Sequence, residues 1–308
     1  YNTHYMSYLA NMATNEVYLD SADIRKNIVS IARMLGYTPS SSKSPVAVCD
    51  ITVNNASGTT LTLNKGTIFK SKIGEIGYQF VVNDDITITP SSGVYKFSNV
   101  SLYEGTLVEY KYTVDNNDTD QKFIIPSDKA DTDTLKVIVQ KSSQDNSRTT
   151  YTYSKDYADV NSNSEVFFLQ ETDTGRFQVY FGDGIIGKKL DDGNIVILQY
   201  IVTNEGKANG ASAFTLEGNI GGFTNVVVKS ISAAQGGNAP ETNDSIRFNA
   251  PFDYARQNRA VTSTDYETLV RSIYPNTLSV SSWGGEDEET PIYGVVKISI
   301  KPTSGSTL

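Results

Sequence analysis

From Val46 to Ser230 the chain reads as short runs of β-branched and aromatic residues divided by clusters of Asn, Asp, Ser and Gly. Such runs suit a pleated, half-buried surface, and the clusters suit turns. They predict strands at Val46–Val53, Leu61–Phe69, Tyr78–Val82, Ile86–Thr89, Leu107–Val114, Leu135–Val139, Val166–Leu169, Phe214–Leu216 and Asn225–Ser230. Two more flank a glycine loop at 182–187. Breaks are expected at Asn54–Gly58, Asn116–Asp118, Asp131–Asp133 and Asn161–Ser164.

Helical spacing takes over near both ends. Ile24, Ile28, Ile31 and Leu35 recur at intervals of four, three and four, one face of a helix within Leu19–Leu35. Asp20 or Ser21 is placed to cap it, and Gly36 and Pro39 to stop it. A second helical zone spans Thr242–Tyr274, interrupted by Pro251. In it Thr264 and Glu267 have capping-box spacing. Tyr266, Leu269, Val270 and Ile273 then line one face, and Pro275 closes it. The expected fold class is α+β, mainly β: several small antiparallel β modules with an N-terminal helix and a helical segment near the C-terminus. The expected division is 1–38, a segment with a helix; 39–134, β-rich; 135–235, β-rich with an FGDGIIG hairpin; and 236–308, helical segment plus strands, for self-association.

Composition supports this. With 19 Tyr, 12 Phe and one Trp the aromatic usage is that of a β protein. The 308 residues suffice for two or three domains with a real core. Lacking an initiator Met, and stopping soon after the strand-like Tyr293–Lys301, the chain reads as the C-terminal part of a longer polypeptide. A net charge of −9 argues against a nucleic-acid backbone or an anionic membrane as partner. No apolar run approaches the roughly 18 residues of a membrane span. Cys49 is the one cysteine and His4 the one histidine, which excludes a disulfide framework and a histidine-cluster metal site. Cys49 sits in a strand-like run as a small packed residue.

Candidate chemistry is thin. Gly182, Gly184 and Gly187 have the spacing of a dinucleotide-binding loop, but the β-branched run Asn194–Tyr200 follows where that motif needs a helix. The glycines are therefore expected to serve a turn, through positive φ and close chain approach. Asp115–Asp120 opens like a calcium loop but has Asp120 where glycine is needed and Pro126 where the bidentate glutamate is needed. Asp128, Asp131 and Asp133 fit a solvated turn or, alternatively, a hard cation. Glu286–Glu289 fits an exposed acidic loop. No nucleotide loop, metalloprotease helix or serine elbow is present, so no catalytic residue, metal or cofactor is expected. Arg247, Phe248, Phe252, Tyr254, Arg256 and Arg259, with Trp283, combine the residue types enriched at protein interfaces. The alternative is a helix with its aromatics packed inward and its arginines solvated.

The segment NAPETNDSIRFNAPFDYARQNRAVTSTDYETLVRSIYP, Asn238–Pro275, resembles a segment of the baseplate J-like family of contractile phage tails. Trp283–Pro302, FGDGIIG with YIVTNEGKANGAS behind it, and Glu16–Pro39 resemble other parts of the same family, in order. The resemblance implies a structural protein and no enzyme. It implies a wedge component in the virion tail baseplate, assembled in the host cytoplasm. Such a protein pairs with itself, as a homodimer or a ring of dimers, and binds other wedge proteins around the hub. The ring rearranges on contraction, and neither nucleic acid nor membrane is a partner. A receptor- or carbohydrate-binding tail protein is the alternative, and a tail-associated glycosidase a third class.

Overall fold

Alternation of inward and outward side chains builds two sheets. The computed structural model describes residues 2–302 except 55, 57, 91–93, 156–159, 257–258, 275–276 and 289, and omits the side chains of 2, 256 and 272. The first sheet contains β1 (Val46–Val53), β3 (Ile68–Ile73), β4 (Ile76–Val81), β6 (Tyr95–Glu104), β14 (Thr215–Glu217) and β15 (Val226–Gln235), in the order β14-β3-β4-β6-β1-β15. In β1 the inward residues are Ala47, Cys49, Ile51 and Val53, all buried. They pack with Phe69, Phe80, Phe97 and Phe214, and the rings of Phe80 and Phe214 meet edge to face at 4.9 Å. A small ladder of β2 (Leu61–Leu63) and β5 (Ile86–Ile88) adds to this core. The expected strand Leu61–Phe69 is thus two strands, divided at Asn64–Gly66, where Gly66 has φ +77°.

The second sheet contains β7 (Thr106–Thr113), β8 (Phe123–Ile124), β9 (Ala130–Gln140), β10 (Arg148–Tyr153), β11 (Val166–Glu171), β12 (Phe177–Phe181) and β13 (Ile195–Val202), ordered β7-β13-β9-β10-β11-β12-β8. Only β10 and β11 run parallel in it. Strand β13 is flanked on both sides and is buried nearly throughout, which is why it reads as an unbroken apolar run. Tyr112, Phe123, Phe181 and Tyr151 form an edge-to-face chain at 5.4–5.6 Å through this core. Strand β9 runs through 134–135, where a domain boundary is expected, and β14 and β15 return to the first sheet.

Helix α1 (Asn2–Asn15) precedes α2 (Arg25–Met34), α3 (Asn243–Arg256) and α4 (Ser263–Ile273). Several local expectations change here. Neither Asp20 nor Ser21 caps α2; instead Glu16 accepts from the N–H groups of Asp23 (3.0 Å) and Ile24 (3.3 Å) and from Asn27 Nδ2 (2.7 Å). The hydrogen bond from Asn27 is the main cause holding the Glu16 carboxyl below its ordinary pKa. Pro251 does not break α3; Ile246 and Ala250, in the turn and a half before it, are buried against Ile28, Val29 and Ala32 of α2 and hold that part of the helix in place. The capping box of α4 uses Thr262 and Asp265 in place of Thr264 and Glu267: Asp265 Oδ2 accepts from Thr262 N at 2.8 Å, while Glu267 accepts from Ser282 N at 3.0 Å. Ile273 is exposed. Pro275 and Glu289 lie outside the described residues. Strands β16 (Thr277–Gly284) and β17 (Val296–Pro302) form a separate antiparallel pair under α4.

Asp131–Asp133 is not a turn but part of β9. Asp131 is buried at a register irregularity opposite Ile201, accepting from Ser44 N (2.8 Å) and Asp133 N (3.0 Å). Burial raises its carboxyl above the ordinary pKa. FGDGIIG is not the tip of a hairpin, since β9, β10 and β11 separate β12 from β13.

Candidate functional site

The chain first passes from one sheet to the other through a single residue. Chain leaves β6 and enters β7 through Gly105, whose φ is +122° and on which a Cβ would lie 2.2 Å from Val202 O. Beside it the fully buried Glu104 accepts from Thr203 Oγ1 (2.8 Å), Asn204 N (2.9 Å) and Asn204 Nδ2 (2.7 Å), which follow β13 on the return path. Outgoing and returning strands are thus tied to each other. Lys65 Nζ to Gln199 Oε1 (2.5 Å), Gln199 Nε2 to Asn83 O (3.3 Å) and Asn83 Nδ2 to Thr134 O (3.3 Å) continue the same polar seam.

A second junction fastens the helices to the second sheet. Arg25 forks onto Glu171 at 2.6 and 2.9 Å and donates to Glu241 O at 2.6 Å. Glu171 is almost completely buried in β11. The Glu241 carboxylate gathers Tyr37 Oη, Ser40 N, Ser245 Oγ and Asn249 Nδ2 within 3.1 Å. Burial, with the Glu241 charge second, pushes the Tyr37 phenol well above its ordinary pKa. Arg247 belongs to this cluster: it reaches Ala22 O, Asp23 at 3.2 Å and Asp244 at 2.5 Å. Its Nη1 and Nη2 are engaged within the chain, while its buried Nε has no hydrogen-bond partner among the described residues.

The other residues singled out in this zone are scattered. Phe248 and Phe252 are exposed and lie ring against ring at 4.9 Å. They line a groove of about 1520 Å³ between α3, α4 and the second sheet, facing Phe168 and Tyr180. Tyr254 is exposed on α3, and Arg259 is exposed in the connection to α4. Nothing is described of the Arg256 side chain. Trp283 lies in another hollow with Tyr266 and Val261, its Nε1 donating to Glu288 Oε1 at 3.1 Å. Glu288 is further paired with Lys297 at 2.8 Å, the main cause lowering its pKa.

In the glycine loop Gly184 (φ +93°) and Gly187 (φ +85°) are left-handed, and Gly184 N donates to Gly187 O at 3.0 Å. Gly182 is held by proximity instead: a Cβ there would meet Gly187 O and Ile186 O at 2.3 Å. Asp183 Oδ1 accepts from Ile185 N and Ile186 N, so the inward-facing donors of the loop are turned on its own carboxylate rather than toward an anion. Among the described residues no group of His, Cys, Asp or Glu side chains gathers as metal ligands would, and no helix is long and apolar enough to cross a membrane.

Sequence reasoning missed α1. Tyr5, Tyr8, Leu9 and Met12, spaced three, one and three, share one face, and all are exposed. That spacing was the available signal.

A family described as "Baseplate structural protein gp6, C-terminal domain I" matches residues 262–308, starting at the N-cap of α4. Baseplate wedge protein gp6 of Enterobacteria phage T4 is 26% identical over 335 residues, which cover 99% of this chain and 48% of the relative. The chain therefore spans about half the length of that relative. A cryo-EM structure of the anti-feeding prophage baseplate, 6-fold symmetrised, is 13% identical, with a TM-score of 0.30 over 90% of this chain and 53% of that one, an overlap too low to bear on the fold. Along nearly all of its length, then, the chain is similar to a baseplate wedge protein, and its residues 262–308 are similar to a C-terminal domain of that protein family.

Proposed function

We propose that this chain is a baseplate wedge subunit of the baseplate J-like kind. It associates with itself and with other wedge proteins to form a ring around the hub of a contractile tail, and it lets the ring rearrange on contraction. Its action is mechanical, without a catalytic centre. The observation that carries the reading is α1: a helix of 14 residues with no Asp, Glu, Lys or Arg and with every described side chain exposed. Isolated helices of that length are marginal in water, so a partner has to supply the stabilisation. The single-residue crossing at Gly105 and the polar seam beside it support movement of one sheet against the other, since polar contacts inside a chain resist reorientation less than an apolar core does.

Size-exclusion chromatography with light scattering, on the chain alone and mixed with the other baseplate proteins of its virion, tests this. The expected result is a concentration-dependent oligomer and a mixed complex, both weakened by Tyr8→Ser/Met12→Ser. A monomer at high concentration that also ignores every baseplate protein would refute it.

A further inference from the structure

We propose that β17 is a pairing edge for β17 of a second copy of this chain. The inference rests on the assembly reading above and names one surface for it.

In the β16–β17 ladder, residues directly opposite share a face. Val280 and Ile300, Ser282 and Ile298, and Gly284 and Val296 are on the α4 side; Ser281 and Ser299, and Trp283 and Lys297, are on the other. Helix α4 covers β16 of this ladder. Val280 and Ser282 are buried, and Ser282 is fastened to Ser263 O and Glu267. One strand further out the cover stops. Val296 is 43% exposed and Ile298 40%, in line with the half-buried Ile300, and β17 has no second strand partner among the described residues. Two-stranded sheets are marginal alone and need a further strand or a packed helix, which α4 supplies over β16 but not over the apolar residues of β17.

Strand β17 is self-complementary in one register. Antiparallel pairing about a two-fold axis at Ile298 puts Ile298 on its own copy, Val296 opposite Ile300, and Lys297 opposite Ser299. Shifting the axis to Ser299 puts Lys297 opposite Lys301 and moves two like charges together. Lys297 is already drawn toward Glu288 of its own chain, and Lys301, exposed near the end of β17, falls opposite Val295 in the Ile298 register and so meets no like charge. The product is a four-stranded sheet with both α4 helices on one face and the apolar rows of both copies between them. A seven-residue strand is about 24 Å long, and edge pairing buries on the order of a few hundred Å² per copy, short of the ~800 Å² of a standard stable interface. The contact is therefore weak by itself and effective when other contacts raise the local concentration.

Cysteine cross-linking reads the register. Ile298→Cys, Ser299→Cys and Val227→Cys, the last on the exposed side of β15, are each made in the full chain and mildly oxidised at high protein concentration. Opposed residues of antiparallel strands lie within disulfide reach, so Ile298→Cys is expected to dimerise about tenfold faster than the other two. Circular dichroism confirms that each variant is folded. Equal rates for all three, or faster coupling of Ser299→Cys, overturns the proposal. Loss of the Ile298 cross-link with retained binding to baseplate proteins sinks this surface alone; loss of both sinks the assembly reading.

Discussion

Replacing Glu104 by alanine and by glutamine should have very different costs. In the alanine variant Thr203 Oγ1, buried with its residue, and two donors of Asn204 lose their acceptor. The exposed Asn204 side chain can turn to water, so the lasting deficit is one buried hydroxyl and the Asn204 backbone donor, about 1 kcal/mol each. The space left by the side chain adds about 1 kcal/mol, for a total of about 3 kcal/mol. Glutamine can keep its carbonyl oxygen where Oε2 accepts from Thr203 and Asn204 N. Its amide then faces Asn204 Nδ2, a conflict removed when the Asn204 amide flips and accepts. The expected cost is about 1 kcal/mol or less. At roughly 2 °C per kcal/mol for a chain this long, the melting temperature should fall about 6 °C for Glu104→Ala and about 2 °C for Glu104→Gln. Hydrogen exchange should localise the loosening to Gly105 and Asn204. Equal losses for both variants, or protected amides at both positions in Glu104→Ala, would refute the idea that this carboxylate ties the two chain crossings.

In the glycine loop, Gly182→Ala should cost more than Gly184→Ala, because the first drives a Cβ into backbone oxygens at 2.3 Å while the second adds only the strain of φ +93°, about 1 kcal/mol; a thermal shift in the reverse order would contradict the geometry. Arg25→Ala leaves the buried Glu171 carboxylate without its fork and should destabilise by about 3 kcal/mol in urea unfolding, and Arg25→Lys should recover only part of that, since an ammonium cannot make the paired contact. Burial pushes the Cys49 thiol up to about 11, so at pH 8 it is protonated as well as enclosed. A colorimetric thiol reagent should find no reactive group in the native protein and one after denaturation; fast native labelling would show that the first sheet's core is open.

Much of the β-architecture is legible in order. Val46–Val53 predicts β1 to the residue, and the Asn194–Tyr200 run predicts β13, because each buries side chains in the period that the sheet imposes. Strands β6 and β10 escaped notice: in β10 polar residues outnumber the apolar ones that would reveal the period, and in β6 the alternation slips at Asn99, whose φ is +55°. Caps were misplaced where the acceptor came from a distance: Glu16 closes α2 from eight residues away, and Glu267 was not free for its own helix because β16 had claimed it. Arg247 and Phe248 are neighbours in sequence with the same interface signature. Only packing shows that the arginine is spent inside the chain while the phenylalanine faces a groove.

The sequence by itself determined the β-rich class, the existence of α2 and of helices near the C-terminus, the absence of a helix after the 182–187 glycines, and the likeness to a baseplate protein. All of these depend on local spacing or on ordered motifs. Tertiary structure alone decided that β14 and β15 rejoin the first sheet, that Gly105 and Glu104 stand where the chain crosses twice, and that β17 keeps one edge open. Those facts depend on which distant segments meet, and a strand's period fixes the face it buries without fixing the neighbour it pairs with.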